Sequence, residues 1–206
     1  MQLIKKRYIK LQTEHFLVKT LSENDACQSL ANWLADPELM GNLNKKPSRL
    51  LSQQLKRFIA SHDQAKKLIL GVFEITDGKL IGYYTVSIDA DDRRASFTIL
   101  IGDRGYWGKS VVNQTREMLI DYMFNNIGVD KITGSPIARN FPAIFNYKAQ
   151  NWKLEGILKK HVVDSSAINN RLDIYIFSML KEDWLHLKND RLRSGSLGDR
   201  RERAST

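Results

Sequence analysis

Apolar residues recur along this chain with two different periods, and each period marks its own stretch. Cys27, Leu30, Ala31 and Leu34 fall at i, i+3, i+4 and i+7, one helical face that ends before Pro37. Ser22 with Asp25 three residues on has the form of a helix start. Leu51, Leu55, Phe58 and Ile59 share the face of a second helix beginning near Ser48. Strands are predicted at 68–75 and 80–89, flanking a hairpin turn at Asp77-Gly78, and a third at 94–101. Val111, Thr115, Met118, Leu119, Tyr122 and Met123 then line one face of a helix that Gly128 can stop. A short strand follows at 131–138. Asn140 can cap a helix whose first turn holds Pro142, where a missing N–H costs nothing. Strands at 152–159 and 171–180 close the pattern. The order is helices, an antiparallel meander, then β-α-β-α-β-β, which predicts an α/β fold on a mixed sheet.

Composition narrows the class. The chain has 206 residues, 42% hydrophobic and 27% charged, close to ordinary globular values, so a disordered chain, a collagen repeat and a coiled-coil rod are excluded. Its single cysteine, Cys27, can form neither an internal disulfide nor a Cys-rich metal site, and it lies on a core-facing stripe. No apolar run approaches a membrane span, and the first ten residues lack the apolar stretch of a secretory signal. The expectation is a cytoplasmic protein. Its net charge of +9 is concentrated at the ends. Residues 1–10 carry Lys5, Lys6, Arg7 and Lys10 without an acid. Residues 188–206 carry six basic residues against three acids, leaving +2 for residues 11–187. The chain divides into a basic extension (1–11), one folded domain (12–187) and a Ser/Gly-rich, charged tail (188–206) expected to be disordered. Charge held in the ends is weak evidence for nucleic-acid binding.

Two constellations carry chemistry. Gly105-Tyr-Trp-Gly108-Lys-Ser110 joins a strand to a helix, with Arg104 and Lys109 adding charge. Unpaired N–H groups and the dipole at a helix start attract phosphate, and glycine lets the backbone curl around it. A plain turn is the competing reading. The loop is not a Walker motif, because its opening glycine would fall at Asp103, and Gly-x-Gly-x-x-Gly is absent. Asn140 and Tyr147, seven residues apart, project from nearly the same helical face. A tyrosine there could donate a proton to a leaving group; a cap and a packing residue would look the same. His15, His62, His161 and His186 show neither metal spacing nor a triad pattern, and no metal is expected.

Together these motifs resemble the GNAT superfamily of N-acetyltransferases, and within it the branch that includes RimJ and RimL. Tyr106-Trp-Gly108-Lys-Ser110-Val-Val112 resembles the family's loop before its signature helix. Asn140-Phe-Pro-Ala-Ile-Phe-Asn-Tyr147 and Trp152-Lys-Leu-Glu155-Gly156 resemble its next motif. Asp173-Ile-Tyr-Ile-Phe-Ser-Met-Leu-Lys-Glu-Asp-Trp184 resembles the branch's last strand. The resemblance covers roughly residues 12–187. It implies the GNAT fold, a mixed, mostly antiparallel central sheet flanked by helices.

It also implies direct acetyl transfer from acetyl-CoA, the co-substrate, to a primary amine. Cys27 offers no evident nucleophile, in keeping with that. By resemblance, the pantetheine arm lies along Ile99, Leu100 and Ile101, where an N–H polarises the acetyl carbonyl. The pyrophosphate sits on Trp107, Gly108, Lys109, Ser110, Val111 and Val112. Asn140 contacts the pantetheine, and Tyr147 protonates the departing thiolate. Three positions depart from the family pattern: Ser110 for the central Gly, Val112 for a small residue, and Asn151 for a Gly. The family's strand carboxylate is missing. Glu74, Asp89 and Glu155 are the candidate general bases, while Ser96 or Thr98 could position water. The acceptor side is assigned to residues 36–47 and 162–170. Neither is strongly acidic, which disfavours a polyamine and leaves a protein N-terminal α-amine or an amino sugar. The alternative is a degenerate acyl-CoA-binding or interaction module, with the basic termini reaching RNA or the ribosome. No membrane partner is expected.

Overall fold

The computed structural model describes residues 6–203; residues 1–5, including Lys5 of the basic start, and 204–206 lie outside the described residues. An eight-stranded sheet runs through the domain in the order β1-β2-β3-β4-β5-β6-β8-β7. Its strands are β1 (Lys10–Gln12), β2 (Phe16–Thr20), β3 (Lys67–Glu74), β4 (Leu80–Asp89), β5 (Arg94–Ile101), β6 (Lys131–Gly134), β7 (Lys153–Asp164) and β8 (Ala167–Leu180). The β5–β6 pair is parallel and every other pair is antiparallel.

Both faces of the sheet are covered, so β3 reads as a continuous apolar run rather than an alternation. Its Leu68, Leu70 and Val72 face a core closed by α4 (Val111–Tyr122) and α5 (Phe141–Ala149). Ile69 and Phe73 face a second core beneath α1 (Gln28–Ala35), α2 (Pro37–Asn42) and α3 (Ser52–Ala60).

The meander matches its expected limits closely, and Gly78 makes its turn at φ 68°. Several elements differ. β1 and β2 were not marked by the apolar pattern, being short, with only Phe16 and Val18 buried. Pro37 ends α1 as expected but also opens α2, where Asp36 accepts from the N–H groups of Glu38 and Leu39. The second expected helix starts at Ser52 rather than near Ser48. α4 continues through a single π-type turn at Met123–Ile127 before Gly128 stops it at φ 82°. β7 and β8 are longer than their apolar cores. Asn151 adopts φ 59°, the left-handed geometry that asparagine tolerates.

The segment expected to be disordered from Lys188 lies on a helix, α6 (Lys181–Arg203). Two of its basic residues are spent on α4: Lys188 pairs with Asp121 at 2.6 Å and Arg191 with Glu117 at 2.8 Å. Composition misses this because the partners come from another element.

One feature of the topology prepares the site. β5 and β6 pair only at Arg94↔Lys131, Ala95↔Ile132 and Ser96↔Thr133. Past that point the chain of β6 leaves for α5, while residues 97–101 of β5 stay paired to β4 alone. The sheet opens there.

Candidate active site

A cleft of about 630 Å³ occupies the opening, walled by the end of β5, the following loop, the first turns of α4 and α5, and α2. Ile99, Leu100, Ile101, Trp107, Gly108, Ser110, Val111, Val112 and Asn140 all line it. Lys109 does not; its Nζ sits 5.0 Å from the centre of the Tyr106 ring. Arg104 is likewise committed elsewhere, to Asp36 at 3.0 Å and Glu38 at 2.6 Å across the loop.

The start of α4 is built for an anion. Gly108 (φ 76°) and Ser110 (φ 56°, ψ 17°) are both left-handed, which curls the loop under the helix. The first backbone bond of the helix runs from Gln114 N–H to Ser110 C=O. The N–H groups of Val111, Val112 and Asn113 therefore have no intrahelical acceptor, and the helix dipole adds positive potential beside them. Ser110 supplies no side-chain cap. These donors fit a pyrophosphate, and the long apolar slot along Ile99 and Ile101 fits a pantetheine arm. The Ile101 carbonyl is already taken by the Trp107 indole N–H at 2.9 Å, so strand pairing to a substrate falls to the backbone before it.

Two expectations follow from this loop. Ser110→Gly removes a side chain from a left-handed position and should stabilise the protein by about 1 kcal/mol, raising Tm by roughly 2–4 °C. Acetyl-CoA affinity should hold or tighten. Gly108→Trp, by contrast, places an indole over the helix start. Calorimetric titration should show acetyl-CoA binding by the parent and its loss in the folded variant; retained binding would move the phosphate site off this loop.

Asn140 does two jobs with one side chain. Its Oδ1 accepts the Ala143 N–H at 3.1 Å, capping α5, and its Nδ2 donates to the Asn42 carbonyl at 2.9 Å. It thus ties α2 to α5 across the cleft, and both side-chain polar atoms are occupied.

Tyr147 lies behind the main cleft, lining a smaller pocket of about 100 Å³ with Phe97, Thr98, Ser135, Asn140 and Arg116. Its ring stacks on Phe177 (5.1 Å, 13°) and meets Trp152 edge-on at 4.9 Å. The guanidinium of Arg116 sits 4.4 Å from the ring centre. Burial pushes the phenol above its usual range, and the positive charge of Arg116 opposes that shift. A phenol that keeps its proton on the wall of a small pocket has the chemistry a general acid requires.

None of the three candidate bases lines either cavity. Glu74 is held in its hairpin by Thr76 and the Asp77 N–H. Asp89 pairs with Arg94 at the opposite end of β5. Glu155 binds Lys131 at 2.6 Å and Ser178 at 2.8 Å. Each carboxyl is held below its usual range by its hydrogen bonds: Glu74 first by the Asp77 N–H, Asp89 first by the Asp92 N–H and then by Arg94, and Glu155 first by Lys131. Thr98 does line the smaller pocket.

Sequence reasoning missed Arg116 and Glu38. Glu38 is the one carboxylate lining either cavity among the described residues, and Arg104 neutralises it. Arg116 had a faint signal: its helical neighbours at i±3 and i±4 are Asn113, Leu119, Val112 and Ile120, none of them acidic.

The chain belongs to the acetyltransferase (GNAT) domain family, matched over residues 15–144. It is 28% identical over 180 residues to the uncharacterized N-acetyltransferase p20 of Bacillus licheniformis, covering 84% of this chain and 97% of that one. The family match and the N-acetyltransferases it resembles make this fold that of an acetyl-CoA-dependent acyltransferase. Many solved structures share its fold, and two of them show its range. One is spermidine N-acetyltransferase from Vibrio cholerae in complex with CoA and spermine (TM-score 0.73, 20% identity, covering 84% of this chain and 99% of that one). The other is ribosomal-protein-S5-alanine acetyltransferase from Vibrio fischeri (TM-score 0.71, 20% identity, 85% and 98%). Among the described residues no helix is long and apolar enough to cross a membrane.

Proposed function

We propose that this N-acetyltransferase acts on weakly basic primary amines, namely a protein N-terminal α-amine or the amino group of a sugar. The observation that carries the reading is the charge of the smaller pocket lined by Tyr147, which this reading makes the transfer pocket. Among the described residues it contains no carboxylate and one buried cation, Arg116. Such a pocket disfavours an ammonium and admits an amine already neutral. An α-amine with a pKa of about 7.7–8.0 is roughly one-tenth neutral at pH 7, whereas a lysine amine at about 10.4 is neutral less than one time in a thousand. Thr98 and Ser135 would position the water that carries the amine's proton away.

The cofactor roles follow the cleft: α4's first N–H groups and the 107–112 loop hold the pyrophosphate, the β5 end receives the pantetheine, and Asn140 shapes its path. Tyr147 protonates the thiolate. The catalytic unit is residues 12–187, working in the cytoplasm, as the single unpaired Cys27 allows. We place it in the branch with RimJ and RimL. Support comes from the Tyr106-Trp-Gly108-Lys motif and from the likeness to a ribosomal-protein alanine acetyltransferase. The spermidine enzyme is a similarly close fold, but a transfer pocket without a carboxylate among the described residues argues against a polyamine here.

The test is an acceptor panel at pH 7: a peptide with a free α-amine, glucosamine, an α-blocked lysine and spermidine. The first two should exceed the last two in kcat/KM by at least about tenfold, in line with their neutral fractions. Preference for spermidine would overturn the reading.

A further inference from the structure

Arg116 is the largest fully buried side chain of the described residues, only 1% exposed. Its Nη1 donates to Gln150 Oε1 at 2.9 Å, while its Nε is buried without a partner. Gln150 in turn donates to the Asn113 carbonyl at 3.1 Å, so the guanidinium is fixed between α4 and the end of α5. It lies over two rings, 4.4 Å from the centre of Tyr147 and 5.8 Å from that of Trp152. A buried guanidinium that meets no carboxylate among the described residues carries a desolvation cost that no ion pair there offsets, and an apolar side chain of similar size would pack at less expense. Arg116 also lines both the main cleft and the pocket of Tyr147. A charge held in that place at that cost points to the reaction rather than to stability.

We propose that Arg116 is a positioning residue for acetyl transfer. It clamps the Tyr147 ring against Phe177 so that the hydroxyl stays aimed into the transfer pocket, and it supplies the positive charge that faces the phenolate formed there. The proposal rests on Tyr147 being the proton donor. In the step concerned, the neutral amine's lone pair forms the new N–C bond at the thioester carbonyl. The C–S bond then breaks with its electron pair on sulfur, and the Tyr147 proton passes to that sulfur. Tyr147 is left as a phenolate until a proton, released from the acylated nitrogen through water, returns to it. Arg116 stabilises that interval.

The surroundings agree. Besides Arg116 from α4, Gly134 of β6 lies against the hydroxyl end and Phe177 of β8 stacks on the ring with Tyr175 beyond it; Tyr84 of β4, whose hydroxyl is bonded to Thr115, is the further phenol that interacts with it electrostatically. Lys148 is the neighbouring charge on its own helix. No acid among these competes for the guanidinium.

The test is a double-mutant cycle on the full chain, with Arg116→Met, Tyr147→Phe and both together. Arg116→Met should fold and keep its acetyl-CoA KM within about twofold while kcat falls at least about tenfold. In the Tyr147→Phe background the same change should cost less than about twofold, because the two residues act as one unit. Arg116→Lys, which keeps the charge without the planar fork, should recover part of kcat. If Arg116→Met leaves kcat unchanged, or multiplies the Tyr147→Phe loss in full, the proposal is overturned and the proton-donor reading survives. If Tyr147→Phe alone keeps full kcat, the donor reading falls and takes the proposal with it. Should Arg116→Met fail to fold, Gln150→Met, which releases the guanidinium with its charge intact, enters the same cycle with the same criteria.

Discussion

Tyr147→Phe is expected to lower kcat about 100-fold, the lower end of what a positioned general acid contributes. The calorimetric Kd for acetyl-CoA should stay within about twofold, because Tyr147 does not line the main cleft. The substitution removes one oxygen and leaves the packing alone. Phenylalanine keeps the stack on Phe177 and the edge contact with Trp152, so the fold has no reason to respond. The hydroxyl makes no hydrogen bond to the described residues around it, and its loss orphans no partner. Any fall in turnover is then attributable to the proton. Release of free thiol, followed against a saturating α-amine acceptor, measures it. Equal kcat in parent and variant would make Tyr147 a packing residue.

The second large effect comes from a residue with no side chain. A Cβ on Gly134 would lie 2.1 Å from the Tyr147 hydroxyl oxygen, 2.3 Å from Cζ and 2.6 Å from Cε1. Gly134 belongs to β6, whose extended backbone any residue can adopt, so alanine would not strain the strand itself. The conflict falls wholly on the tyrosine ring. That ring cannot slide, since Phe177 holds one face, Arg116 lies over it at 4.4 Å, and Trp152 closes the edge. Gly134→Ala should therefore destabilise the domain by about 1–3 kcal/mol, the usual cost of overpacking a tight site. Turnover should fall at least as far as in Tyr147→Phe. Gly41→Ala, at a position where nothing lies within 4 Å of the new Cβ, is the matched control and should leave kcat unaltered. Thermal denaturation and kcat on the three proteins check the pair. A Gly134→Ala enzyme with normal turnover would show that the hydroxyl's present seat is not the one used in the reaction.

Several parts of this protein were legible from local pattern. β4 and β5 span the predicted residues because each is bounded by turn chemistry, at Asp77-Gly78 and at 91–93, which acts within a few positions. The cap at Asn140 and the loop at 105–110 were readable for the same reason: their conformations are set by residues three or four apart. Most of the residues nominated for the cofactor lie on or beside that loop, and together they line one cleft.

What escaped the pattern depends on neighbours far along the chain. β2 becomes a strand through pairing with β3, whose partner residues lie fifty or more positions downstream, and β1 is carried on β2, so the few apolar residues in them could not announce it. α6 takes its order in part from Asp121 and Glu117 on α4. The transfer pocket is the sharpest case. Phe97, Arg116 and Tyr147 come from three elements, and no spacing relates them.

From its residues alone this chain determines an α/β domain, a helix start ready for phosphate, and a tyrosine one helix away, because hydrophobic period, turn propensity and capping act over short separations. Only the tertiary structure decided that β5 and β6 part after Ser96, that the nominated carboxylates stand clear of the opening, and that a guanidinium is buried against the tyrosine. Those outcomes belong to strand register and side-chain packing, which are settled by contacts between distant segments and leave no periodic trace in either of them.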